Sequence, residues 1–195
     1  MTSAFVFTLI AYAAWCVLML VWLIGYAQRR QRPRMAGAEA HLALQIPASC
    51  LLVLCFVLLF NAHARGLRLP VTPPTVWLGT IGVALDLAGV GFAIWARVVL
   101  GQNWSGLVMA VREGHELVQT GPYAIVRHPI YTGMLAAILG TALTIGTLAS
   151  WLAVAAGLAG ILIRVEVEER LMAAEFGDVH AAYRARTKKL VPLLW

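Results

Sequence analysis

Five apolar runs constrain this chain before any motif is considered: residues 5–27, 42–60, 76–100, 130–147 and 148–163. A hydrocarbon core about 30 Å thick needs about 20 apolar residues in a helix, because backbone polar groups inside it must pair within their own segment. The first three runs meet that length. The last two are shorter, turn near Gly146, and read as a helical hairpin whose inner ends reach only the interface. Hydrophobic residues make up 61% of the chain and charged residues 12%, with a mean hydropathy of +0.81, far from a soluble balance. The expectation is an all-α, polytopic membrane protein of about five transmembrane helices. It reads as a single domain over 1–195, with three N-terminal spans in 1–100 and, in 101–195, a second half that carries the polar motifs taken up below. The first run is no cleavable signal, since residues 1–4 carry no positive charge and the run is too long.

Charge placement predicts topology. Arg29, Arg30, Arg32 and Arg34 follow the first run, Arg112 and Arg127 the third, and Arg170, Arg184, Arg186, Lys188 and Lys189 the fifth. Arg65 and Arg68 alone mark the opposite side. By the positive-inside rule the N-terminus faces out and the C-terminus lies in the cytoplasm, at the plasma (inner) membrane in a bacterium. The net charge of +6 then reflects topology and attraction to anionic lipid headgroups, and no nucleic-acid partner is expected. Cys16, Cys50 and Cys55 lie in apolar runs without metal-ligand spacing and read as small buried hydrophobes, so no metal is expected. Asp86 sits inside the third run, where a carboxylate needs a partner or a cavity. Both a tunnel or proton-linked role and a structural bond to another span are open to it. Trp104, just past that run, reads as an interfacial anchor or a pocket wall, and the other tryptophans as interfacial or packing aromatics.

The polar stretch 101–127 is too short for a domain and must cap a site at the membrane face. Thr120, Gly121, Pro122 and Tyr123 read as a turn, and Pro129 suits the first turn of the fourth helix. Arg127, His128 and Pro129 alone describe a helix start with an interfacial Arg. Beyond the fifth run, a helix continuing to about residue 186 aligns Arg164, Glu168, Leu171 and Glu175 on one stripe, with Glu169 turned about 100° away. Glu166, Arg170 and Glu175 fit a solvated face. Arg164 and Glu168 sit at the membrane boundary, where charge is costly and usually functional.

The series Arg127, His128, Pro129, Tyr131, Gly133, followed by Arg164, Glu168, Glu169 and by Phe176, Gly177, resembles the isoprenylcysteine carboxyl methyltransferase family from about residue 101 to 192. His180 stands where that family commonly has Tyr. The resemblance implies S-adenosylmethionine as cofactor. His115, Glu116, Leu117, Val118 and Tyr123 then form one wall of its site, continued by His128, Pro129, Ile130 and Tyr131. Glu168 matches a cofactor-contacting catalytic carboxylate, Glu169 completes the acidic pair, and Arg164 matches the catalytic position that binds the methyl acceptor.

Methyl transfer from a sulfonium needs alignment and exclusion of water. A carboxylate acceptor, with an ordinary pKa near 4, needs no general base, whereas an amine must lose a proton. The expected activity is carboxyl methylation of an isoprenylcysteine or similar lipophilic acid that enters from the bilayer. Methylation of a phospholipid amine or a thiol, and a noncatalytic membrane scaffold, are the alternatives.

Overall fold

The computed structural model describes residues 3–28, 38–64, 66, 68–73, 75–104, 114 and 116–192, with backbone only for 38–42. Five α-helices account for most of them: α1 (Ser3–Ala27), α2 (Ala38–Phe60), α3 (Val76–Leu100), α4 (Pro129–Ile145) and α5 (Leu148–Arg186). Four are long and apolar enough to cross a membrane: α1, α3, α5 and residues 43–60 of α2. With 17 residues, α4 rises about 25 Å. This is an all-α integral membrane protein. Of the basic and aromatic residues read from sequence, Arg29, Arg30, Arg32, Arg34, Arg65, Arg112 and Trp195 lie outside the described residues, as does His115.

Local chemistry sets the helix limits. Thr75 caps α3 by accepting the Leu78 N–H, and Pro129 occupies the first turn of α4. The hairpin turns within two residues. Gly146 takes φ 73° and returns its N–H to Ala142 O at 2.8 Å, and Thr147 and Ser150 then form a reciprocal capping box that starts α5. As expected from sequence, α5 continues beyond the apolar run to Arg186, 39 residues or about 58 Å in all, and Arg164, Glu169, His180 and Tyr183 of its charged half are buried. The helix bends at Gly177, where φ is 46°.

Helices α3 and α4 lie backbone to backbone. A Cβ on Gly89 would stand 2.5 Å from Gly133 O, and one on Gly140 would stand 2.5 Å from Asp86 N. Small residues permit that approach, as they do wherever helices associate in lipid. Asp86 is fully buried there, with the Thr141 hydroxyl of α4 3.0 Å from its Oδ1. It therefore forms a structural bond between spans and does not line the cavity described below. Cys55 is buried, but Cys16 and Cys50 are exposed, which corrects the expectation that all three are interior. A span's outer face is solvated by hydrocarbon, so apolar residues turn outward as readily as inward: Leu20 and Val57 are 57% and 51% exposed.

Candidate active site

The turn that precedes α4 is held by a distant segment. Gly121 adopts φ 58° and opens a 3-10 turn over Gly121–Ala124. From there the chain runs parallel to the residues that follow α5. Arg127 N–H donates to Lys188 O at 2.8 Å and His128 N–H to Lys189 O at 3.1 Å. Thr132 Oγ1 donates to Leu190 O at 2.7 Å, and Tyr183 OH to Tyr123 O at 2.6 Å. Backbone pairing thus fixes Arg127 and His128 where the acidic part of α5 passes.

Three buried side chains meet at that point. Glu169 Oε1 accepts from Arg127 Nε at 2.8 Å and lies 2.8 Å from His128 Nε2. On the other side of the ring, His128 Nδ1 stands 3.3 Å from Glu168 Oε2. Burial alone would lower the imidazole pKa, but the carboxylates of Glu168 and Glu169 outweigh it and hold His128 above its ordinary value. With a carboxylate at each nitrogen, the ring is arranged as a double donor. Tyr131 OH donates to Glu168 Oε1 at 2.5 Å and accepts from Arg164 Nε at 3.2 Å, so one hydroxyl joins the Arg to the acid one turn on. Arg184 Nε reaches within 3.3 Å of Glu169 Oε2 but out of hydrogen-bond alignment, and that buried oxygen accepts no hydrogen bond.

These groups form the polar corner of a cavity of about 670 Å³. Its opposite wall is apolar and comes from Met19, Trp22 and Leu23 of α1 and from Leu52, Val53 and Phe56 of α2. Trp104 also lines the cavity, 6.2 Å from Trp22 and capped by the Arg97 guanidinium 4.3 Å above its ring. Asn103 Oδ1 accepts the Glu116 N–H at 3.0 Å and anchors the loop there. His180, 2% exposed, also lines the cavity.

Of the site residues read from sequence, Glu116, Leu117, Val118, Tyr123, His128, Ile130, Tyr131, Arg164, Glu168 and Glu169 line this one cavity. Pro129 does not. It is buried as the first residue of α4, where its ring starts the helix. Glu175 is exposed, and Glu166 pairs with Arg170 at 3.2 Å on a half-exposed face, as a solvated stripe requires. Sequence reasoning undervalued Arg127, whose burial depends on an acid 42 residues away, and missed the α1 and α2 wall altogether. Trp104 proves to be a pocket wall.

The family model for phospholipid methyltransferases matches residues 77–179, just over half of the chain. The chain belongs to the phospholipid methyltransferase family. Within that family it is similar to the cobalt-zinc-cadmium resistance protein CzcN of Cupriavidus metallidurans, at 32% identity over 149 residues, covering 73% of this chain and 61% of that protein. Against the protein-S-isoprenylcysteine O-methyltransferase of Schizosaccharomyces pombe it is 36% identical over 101 residues, 51% of this chain and 43% of the relative. A third relative, methanethiol S-methyltransferase 2 of Bradyrhizobium diazoefficiens, is 45% identical over 74 residues, 37% and 27% of the two chains. The chain therefore spans less than two thirds of each relative. The family match takes in α3, α4 and the acidic part of α5, and leaves out the α1 and α2 wall.

Proposed function

We propose that this protein is an S-adenosylmethionine-dependent methyltransferase acting on a lipophilic acceptor at the membrane interface, and that the acceptor is a carboxylic acid of the isoprenylcysteine type. The observation that carries this reading is the single cavity that joins a corner of Arg164, Tyr131 and Glu168 to an apolar wall of α1 and α2. The residues fit a cationic, hydrogen-bonding donor: Glu168 and Glu169 are carboxylates at the cavity, and Glu169 Oε2 is buried without a hydrogen bond. When bound there, the cofactor supplies an electrophilic methyl group on a sulfonium.

The chain's own residues do the rest by position and charge. Glu168, held by Tyr131 and His128, presents negative charge to the donor side. Arg164 offers a planar guanidinium that orients an acceptor carboxylate without taking its proton. The walls of α1 and α2 exclude water and receive the acceptor's hydrocarbon. His128, with both nitrogens turned to acids, is placed to donate rather than to take a proton, which suits an acceptor that is already a nucleophile. His180 favours a second reading, S-methylation of a thiol, because a buried imidazole in the same cavity can accept a thiol proton. Basic residues gather at the site end of the molecule, which supports a cytoplasmic site with the N-terminus outside.

The test supplies methyl-labelled S-adenosylmethionine to membranes that contain the protein, then measures volatile label after mild alkali. A methyl ester releases methanol, and that is the expected result. Alkali-stable label in the lipid or small-molecule fraction overturns the carboxyl acceptor in favour of nitrogen or sulfur. No label in any fraction, across acids and thiols, overturns the enzyme.

A further inference from the structure

The cavity has a depth as well as a chemistry. Its lining on α1 runs from Tyr26 to Met19, and on α2 from Ser49 to Phe56. Seven residues of helix rise about 10 Å, so the apolar arm extends about that far along the bundle. One turn below Met19 stands Trp15, 0% exposed, whose ring meets Phe56 edge-on with centroids 5.3 Å apart. Phe56 in turn stacks on Phe60 at 6.3 Å, and Phe60 meets Tyr12 at 4.8 Å. Tyr12 OH donates to Leu59 O at 2.9 Å and ties α1 to α2 at that level. The two helices that line the cavity are therefore bridged beneath it by a row of aromatic rings.

That row is anchored. The Trp15 indole N–H donates to Thr141 Oγ1 at 2.9 Å, and Thr141 Oγ1 stands 3.0 Å from Asp86 Oδ1. Three spans are thus linked through one hydroxyl, in surroundings where a lost polar partner finds no water. A carboxylate at this depth is costly, and the bond it makes is the one that fixes the ring at the cavity's end.

We propose that Phe56 and Trp15 form the floor of a hydrocarbon site, that Phe56 sets the length of acceptor chain the cavity takes, and that Asp86 and Thr141 are positioning residues for that floor. The proposal deepens the lipophilic-acceptor reading and rests on it. An unbranched chain gains about fourfold in affinity for each methylene buried, until it meets a group that cannot yield. Past that length a further methylene must displace a packed ring held from behind, and overpacking is unfavourable.

The test separates binding from methyl transfer. Purified protein in nanodiscs is titrated calorimetrically with N-acetyl-S-(n-alkyl)cysteines of stepwise longer chain. In the wild-type protein affinity rises with length and then stops rising. Phe56→Ala extends the rise by about two to three methylenes, so that the longest chains bind about 15- to 60-fold tighter than to wild type, while Phe56→Trp shortens it. Phe56→Leu gives the same direction as Phe56→Ala in a variant closer to the original volume. Thr141→Val blurs the cut-off and Thr141→Ser restores it, whereas a merely structural Thr141 would lower thermal stability and leave the length profile in place. An identical cut-off in wild type and both smaller Phe56 variants overturns the floor while leaving the acceptor reading intact. A shifted cut-off without methyl transfer to any member of the series upholds the floor and overturns the acid acceptor.

Discussion

Glu169 shows how differently two neighbouring carboxylates can be used. It is 5% exposed and faces Arg127 and His128, whereas Glu166, three residues earlier, makes its ion pair with Arg170 at a half-exposed surface. Removing one member of a buried charge cluster leaves its partners uncompensated, so Glu169→Gln is expected to lower stability by about 3–5 kcal/mol. At the surface, Glu166→Gln should cost no more than about 0.5 kcal/mol. Thermal unfolding of the purified protein checks both, and equal effects would refute the distinction. Glu168, which lines the same cavity as Glu169, is the more accessible of the two at 28% exposure. Glu168→Gln, still able to accept from Tyr131, is expected to weaken S-adenosylmethionine binding by about 10- to 150-fold, the loss of one charge-assisted hydrogen bond; unchanged affinity by calorimetry would remove Glu168 from the donor site. The raised pKa of His128 has a definite sign. Because the folded state binds this proton more tightly than the unfolded chain, the imidazolium's contribution is complete below the ordinary value of 6.5 and is lost as pH rises through the higher folded-state value. The wild-type protein should therefore melt at lower temperature as pH climbs above 6.5, and His128→Gln should flatten that part of the profile. Parallel slopes for the two proteins would show that another group titrates.

At the scale of helices, contact distance decides what a substitution does. Gly140 faces Asp86 backbone rather than a flexible side chain, so Gly140→Ala forces α3 and α4 apart and is expected to cost about 1–3 kcal/mol. Gly91, with open space around its missing Cβ, serves as the control: Gly91→Ala should be neutral or slightly stabilising. Comparable losses in the two variants, measured by unfolding, would contradict a glycine-mediated seam. The hairpin between α4 and α5 was legible in the sequence, because a Gly at the end of one apolar run and a Thr before the next carry turn chemistry in their identities. The neighbour of each helix was not. Trp15, 0% exposed, and Leu20, 57% exposed, stand on one continuously apolar helix, and a span with lipid outside and protein inside carries no polar stripe to tell its faces apart. The α1 and α2 wall of the cavity stayed hidden for that reason. Arg164 and Glu168 were readable because each is charged where charge is expensive, whereas His128 and Glu169 were singled out only by the family resemblance. Arg127 was half read, since its position beside His128 was plain and its burial depends on a fold-level contact.

For the molecule as a whole, the two ends of the bundle differ in charge. The site end carries Arg170, Arg184, Arg186, Lys188 and Lys189, while the opposite end closes with Val71 and Thr72 N–H groups donating to Gly146 O. Single cysteines placed at Val71 and at Lys188 in a protein otherwise free of cysteine should lie on opposite sides of the membrane. A membrane-impermeant maleimide on intact cells is expected to label Val71→Cys and to spare Lys188→Cys until the cells are opened. The reverse pattern would invert the topology, and labelling of both would contradict a spanning bundle. The pairing of Arg127 and His128 with Lys188 and Lys189 also bears on biosynthesis. Arg127 and Thr187 are 60 residues apart, and a ribosome working at about 5–20 residues per second takes roughly 3–12 s to cover that interval. During that time α4 and most of α5 can already have left the translocon, while the loop before α4 still lacks the strand that will hold it. A copy whose translation stops within α5 before Glu168 would lack both Glu168 and Glu169 and the segment that pairs with the loop before α4, so the polar corner of the cavity forms only once synthesis has passed residue 190.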